Sequence, residues 1–406
     1  MNWPMVKLGD VLSIIRGITF KPNDQVEPMT EGSTIVMRTK NVQRSGLDIS
    51  DLIAIPDSFI KRDEQYLRTE DMLISSANSW ELVGKISFIE KLPAISTAGG
   101  FISIIRAKKE KVIPKYLYYW LTLEHTQVKI RNCGQKTTNI SNLNLERFKE
   151  LLIPLPSLND QRRIVAILDK AAGIRQKRKQ AIKVANDYLY SIFLDMFGDP
   201  VMNPKGFEIK VLSEFFIDEK NGTKCGPFGS ALKKDEYTRE GVPVWNMDNI
   251  TLKGDFIDSP SLWVSEYKYQ ELESYSVLDG DVIISRAGTV GKMGVVRSST
   301  EKSIISTNLI RVRFNEKLYP EYFVSLMIYC KGRVGNLKTG PDGTFTHMNT
   351  GVLSNLEFPY PPLELQKKYI KIRQSVMLII DKYHHFGFEI DDTFCAINQK
   401  AFLCQP

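Results

Sequence analysis

Apolar residues recur at heptad spacing from Ile164 through Leu168, Ala171, Ile182, Ala185, Leu189 and Ile192 to Met196, interrupted only by Arg175 and Arg178. A seam of that period predicts one long helix. Its start falls after Leu155-Pro156, where Ser157 can cap the first amides with Asp160 three residues on, and its stop at Gly198, followed by Asp199-Pro200. At roughly 1.5 Å per residue such a helix reaches about 60 Å, longer than a small domain is wide, so neither neighbour can bury all of it. A partner of matching length lies at the end of the chain, where Tyr369, Val376, Ile380, Tyr383, Ile390, Phe394, Ile397 and Ala401 repeat the spacing, with breaks at Arg373 and Gly387. The two stripes predict an antiparallel coiled-coil pair. Ile164, Leu168, Ile182, Leu189, Ile192, Val376, Ile380, Ile390 and Phe394 form its seam.

Outside the helices the pattern changes to short apolar runs bounded by turn residues, at Thr34 to Val42, Met72 to Ser75, Phe101 to Arg106, Val242 to Ile250, Val282 to Ser285 and Leu309 to Phe314. Tyr116 to Thr126 and Tyr322 to Cys330 read as apolar helices. The runs are duplicated. Asp71-Met72-Leu73-Ile74-Ser75 matches Asp281-Val282-Ile283-Ile284-Ser285, Ile95-Ser96-Thr97 matches Ile305-Ser306-Thr307, and Ile153-Pro154-Leu155-Pro156 with Gln161 matches Phe358-Pro359-Tyr360-Pro361 with Gln366. The chain is therefore expected to be a mixed α/β (α+β) protein of two pseudo-symmetric units, 1–156 and 201–362, alternating with long helices at 157–200 and 363–406.

With 43% hydrophobic and 25% charged residues among 406, the chain has the composition of a globular protein of two or three domains. No stretch approaches the length of a membrane span, and Met1 to Asp10 lacks a basic region followed by an apolar run, so the expected location is the cytoplasm without membrane contact. Five cysteines without a C-x-x-C pair indicate neither a disulfide framework nor a zinc site. A formal net charge of +7 favours a polyanionic partner.

Catalytic chemistry is hard to find. Gly288-Thr289-Val290-Gly291-Lys292-Met293 has Met where a nucleotide-binding loop needs Ser or Thr to hold magnesium. Tyr360-Pro361-Pro362-Leu363 lacks both the Asn or Asp that would bond a target amine and the aromatic that would stack a flipped base. Glu208-Ile209-Lys210 with Asp199 has nuclease-like spacing but reads more simply as a strand, and four histidines leave little for metal or acid–base work. The inter-strand loops do carry the side chains that match base edges in a major groove. The candidates for DNA contact are Arg38, Lys40, Asn41, Asn78, Trp80, Lys136, Thr137 and Asn139 in the first unit, and Asn246, Asn249, Arg286, Thr289, Lys292, Thr346 and His347 in the second.

Together, Lys7-Leu8-Gly9-Asp10-Val11, the Asp71 and Asp281 strands, the Ile153-to-Val165 approach to the first helix and Met196-Phe197-Gly198-Asp199-Pro200 resemble the specificity subunits of type I restriction-modification systems. That resemblance implies two target-recognition domains, each reading one half of a split site in double-stranded DNA, and no catalytic or metal-binding residues in this chain. It implies two modification subunits that bind S-adenosylmethionine and methylate adenine, docked on the paired helices, and restriction subunits that use ATP and magnesium. The rival expectation, a free-standing nuclease or methyltransferase fused to a recognition domain, needs a catalytic core for which the duplication leaves no room.

Overall fold

In the computed structural model the chain divides into two units, one of residues 1–179 with 385–406 and one of residues 180–384. The structure describes residues 3–44, 46–135, 140–228, 231–286, 291–330 and 348–403; in the last helix the side chains are described to Gly387 and again at Ala396 and Phe402.

The first unit is built on a four-stranded antiparallel sheet in the order Leu12–Arg16, Ile102–Ala107, Met72–Ser75, Ile86–Phe88. A second sheet pairs Ser96–Ala98 parallel to Ser33–Met37, with Ile53–Pro56 antiparallel on its other side. Met72–Ser75 is buried at every position because its two faces serve two cores, which is why it reads as a continuous apolar run rather than an alternation. Met72 and Ile74 join Ile105, Tyr116, Leu117, Trp120 and Leu121 under the helices, whereas Leu73 joins Ile35, Met37, Ile102 and Ile104 against the second sheet.

The second unit repeats this plan. Its sheet runs Thr223–Cys225, Leu309–Val312, Val282–Ser285, Met293–Val295, and Val242–Trp245 pairs parallel to Ile304–Ile305. The faces divide in the same way, with Val282, Ile284, Ile310 and Val312 toward the helical core and Ile283 and Leu309 toward Trp245 and Ile250.

Two predicted strands end early, as Ser33–Met37 and Val242–Trp245, because a buried asparagine turns the chain after each. The apolar run at Tyr116 is two helices, Pro114–Thr122 and Glu124–Asn132, since Leu123 between them is extended. The first long helix spans Leu158–Phe197; the Ser157 hydroxyl accepts from the Asp160 amide at 3.2 Å, and Gly198 ends it at φ +74°. The second spans Leu363–Leu403. In the first unit Ile164 and Leu168 are buried in the helical core beside Phe402, whose ring lies 5.1 Å from that of Tyr116. In the second unit Leu189, Val376 and Ile380 cluster with Ile182, Ala185, Ile372 and Met377, all from the two long helices. The rings of Phe193 and Phe197 stand 5.6 and 5.4 Å from that of Tyr369. Numbers fall on one helix as they rise on the other, so the two run antiparallel there. Ile192 packs instead on the main core of that unit. Ile390 and Phe394 lie outside the described side chains.

Candidate nucleic-acid interface

The most strongly repeated sequence motifs turn out to be internal clasps. Asp71 takes Arg106 through two bonds, from Nε at 2.8 Å and Nη2 at 2.7 Å, and Asp281 takes Arg313 in the same way, at 2.8 Å each. Each aspartate also accepts a backbone amide, from Arg68 and from Leu278. Gln161 is fully buried. Its Oε1 accepts the Ile113 amide at 2.7 Å, and its Nε2 donates to the carbonyls of Lys111 at 3.2 Å and Pro156 at 2.9 Å. Gln366 does the same with the Tyr319 amide and the Pro361 carbonyl, while Tyr116 and Tyr322 donate to Pro154 and Pro359. The glutamines join the start of each long helix to the segment that leads into the apolar helix of its unit, and the tyrosines join that helix to the strand before the long one. The buried carbonyls of Pro154, Pro156, Pro359 and Pro361 would otherwise lack these acceptor contacts, and the side chains satisfy them.

With the scaffold fixed, each unit projects a hairpin from its central sheet. In the first, Gly84 donates to Ser75 at 2.8 Å and Ser75 to Lys85 at 2.9 Å; in the second, Gly291 donates to Ser285 at 2.8 Å and Ser285 to Lys292 at 2.7 Å. Both glycines are left-handed, at φ +80° and +81°, a conformation that costs glycine nothing. The closures are alike and the loops they close differ, with Ser76 in the first unit at the position of Arg286 in the second.

Beside each hairpin stands the turn that ends the parallel-paired strand, and two of the candidate base contacts, Asn41 and Asn249, bond within it. Asn41 is buried, accepts the Arg38 amide at 2.8 Å and donates to the carbonyls of Asp48 at 2.8 Å and Asp51 at 3.0 Å. Asn249 accepts the Asn246 amide at 3.0 Å and donates to Ile257 at 3.1 Å and Ser259 at 3.0 Å. Both carboxamides are committed to their own loops and shape the turn instead of facing a groove. The half-buried Trp80 packs on the helical core. Asn78 donates to the Ser75 hydroxyl and accepts the Ser79 amide, which fixes its position at the hairpin mouth.

The cationic candidates remain at the edges of these loops. Arg38 and Lys40 share Asp51, two cations on one carboxylate, which leaves the turn net positive. Lys292 donates to the Met247 carbonyl at 2.7 Å and so ties hairpin to turn. Asn246 accepts the Asp248 amide and reaches Ser261 Oγ at 3.2 Å. The Arg286 guanidinium lies over the ring of Phe228, 4.3 Å from its centroid. Lys136, Thr137, Asn139, Thr289, Thr346 and His347 lie outside the described residues.

Two residues escaped the sequence reading. Lys85 is the counterpart of Lys292, legible from the repeated Val-Gly-Lys of Val83-Gly84-Lys85 and Val290-Gly291-Lys292. It is nearly buried, with Nζ 3.3 Å from Gln43 Oε1, and burial with the nearby Arg44 charge lowers its pKa. Phe228 follows Gly226-Pro227, a turn signal with an aromatic at its tip. Among the described residues no cluster of His, Cys, Asp and Glu could hold a metal.

Residues 1–184 and 204–381 match the family described as "Type I restriction modification DNA specificity domain". The chain is 25% identical over 401 residues to the type I restriction enzyme MjaVIII specificity subunit of Methanocaldococcus jannaschii, covering 94% of this chain and 87% of that protein. It is 23% identical over 339 residues to the EcoKI specificity subunit of Escherichia coli, covering 79% and 70%. The crystal structure of the S subunit of a type I restriction-modification system from M. genitalium superposes with a TM-score of 0.60 at 17% identity, over 99% of this chain and 96% of that one.

Proposed function

We propose, from the premise that this chain belongs to the type I restriction-modification DNA specificity family, that each of its units reads one half of a split site in double-stranded DNA. The chain is the DNA-recognition component of such a system. The observation that carries the half-site reading is the duplicated hairpin: one closure, built on Gly84 and on Gly291, presents Ser76 and Asn78 in the first unit and Arg286 in the second. An invariant frame with different side chains at its mouth is what two independent readers require.

The chain supplies recognition and leaves the chemistry to partners. We assign adenine methylation to two modification subunits carrying S-adenosylmethionine, and restriction to subunits that use ATP and magnesium. In the second unit both long helices leave large apolar side chains exposed, Val184 and Tyr188 on one, Leu378 and Ile379 on the other, which suits a protein partner along them. No described helix is long and apolar enough to cross a membrane.

Exchanging residues 1–150 for the matching part of a relative, then mapping methylated adenines in a host, tests the reading. One half of the methylated sequence should change and the other persist. Simultaneous change of both halves would refute independent reading.

A further inference from the structure

One cation at the hairpin mouth of the second unit rests over an aromatic ring rather than on a counter-charge. Arg38, Arg106, Arg297 and Arg313 are spent on carboxylates, and Arg311 on the carbonyls of Ser276 and Asn221. Arg286 differs: among the described residues its guanidinium meets no acceptor, and its support is the ring of Phe228, 4.3 Å away. Stacking occupies the flat face of a guanidinium and leaves the N–H groups in its plane pointing outward.

The backbone makes this arrangement stiff. Arg286 donates its amide to Asn308 at 2.9 Å, and Gly226, two residues before Phe228, donates to Leu309 at 2.9 Å. Arg286 and Phe228 therefore hang from adjacent residues, Asn308 and Leu309, at the start of one strand. The Phe228 carbonyl accepts the Ala231 amide at 3.0 Å, a further tie on the backbone beside the ring. Phe228 is 57% exposed, so its ring is held less by its own burial than by its turn and by the guanidinium above it. In the first unit the matching position is Ser76, whose hydroxyl is hydrogen-bonded to Ser103 at 2.6 Å, so the device belongs to one unit alone.

We infer that Phe228 is a positioning residue for DNA recognition, holding the Arg286 guanidinium edge-on so that its donor fork meets a guanine in the half-site read by the second unit. The inference rests on the half-site reading above. Guanine O6 and N7 are the acceptors that a bidentate arginine fits, and a pre-stacked side chain loses less rotamer freedom on meeting them.

The test uses the full chain in complex with its modification subunits and duplexes carrying the methylated site, with each base pair replaced in turn. Phe228→Ala should weaken binding of the intact site about tenfold and flatten preference at the same one or two base pairs as Arg286→Ala, all in one half-site. The double variant should be no worse than Arg286→Ala. Phe228→Tyr should keep the preference, and Phe228→Leu, which retains bulk without a π face, should lose it. A thermal melt of each variant separates these effects from unfolding. The inference is overturned if Phe228→Ala and Phe228→Leu retain the parent's preferences, or if binding weakens equally for every duplex, the mark of a phosphate contact. It is also overturned, with half-site reading left standing, if Arg286→Ala keeps full preference. A parent complex without any sequence preference would instead defeat the reading on which it rests.

Discussion

Replacing Gln161 by Leu removes a clasp without changing side-chain size much. The fully buried carboxamide makes three bonds, with the Ile113 amide and the carbonyls of Lys111 and Pro156. At about 0.5–1.5 kcal/mol net per bond the loss is about 1.5–4.5 kcal/mol, toward the upper end because Pro156 is itself buried and its carbonyl loses this partner. For a unit of this size about 2–4 °C of melting temperature accompanies each kcal/mol, so the first unit should melt about 5–15 °C lower. Gln366→Leu loses two bonds, to the Tyr319 amide and the Pro361 carbonyl, and should cost roughly two thirds as much. Differential scanning calorimetry of the full chain measures both, and hydrogen exchange at Ile113 reports the local effect, since that amide loses its acceptor. A Gln161→Leu chain melting within about 1 °C of the parent, with Ile113 protected as before, would show that the clasp does not hold the long helix to the segment at Lys111 and Ile113.

Three further outcomes follow from burial and space. Gly226→Ala sets a Cβ against the Ser306 carbonyl and should cost about 1–3 kcal/mol or more, whereas Gly173→Ala, inside the first long helix with open space around it, should gain about 0.5–1 kcal/mol; denaturant titrations measure both. Burial and the Lys129 charge lower the pKa of His125, so the unfolded chain binds that proton more tightly; stability should hold above the ordinary histidine value of about 6.5 and fall as pH drops through it, and His125→Gln should flatten the fall in melts recorded from pH 5 to 8.

Periodicity and self-comparison carried the architecture, because both need only the order of residues. The seam from Ile164 to Met196, capped by Ser157 and ended at Gly198, marked the first long helix within a few residues, and the matches at Asp71 and Asp281 marked the duplication. The roles of individual polar side chains were another matter. Asn41 and Asn249 read as base-contact candidates, and Asp71 and Gln161 only as positions of the repeat; each is spent on backbone or guanidinium groups brought near by folding, and Gln161 meets Ile113, 48 residues away. Arg178 and Gly387 read as separate flaws in two seams. In the first unit they prove to be one feature: a Cβ at Gly387 would overlap the Arg178 guanidinium, so the missing side chain makes the room that the long one fills. An apolar seam can be read from one strand of sequence because the hydrophobic effect is non-directional. A hydrogen bond needs a partner at about 3 Å and the right angle, and which groups meet that condition is decided by the tertiary fold.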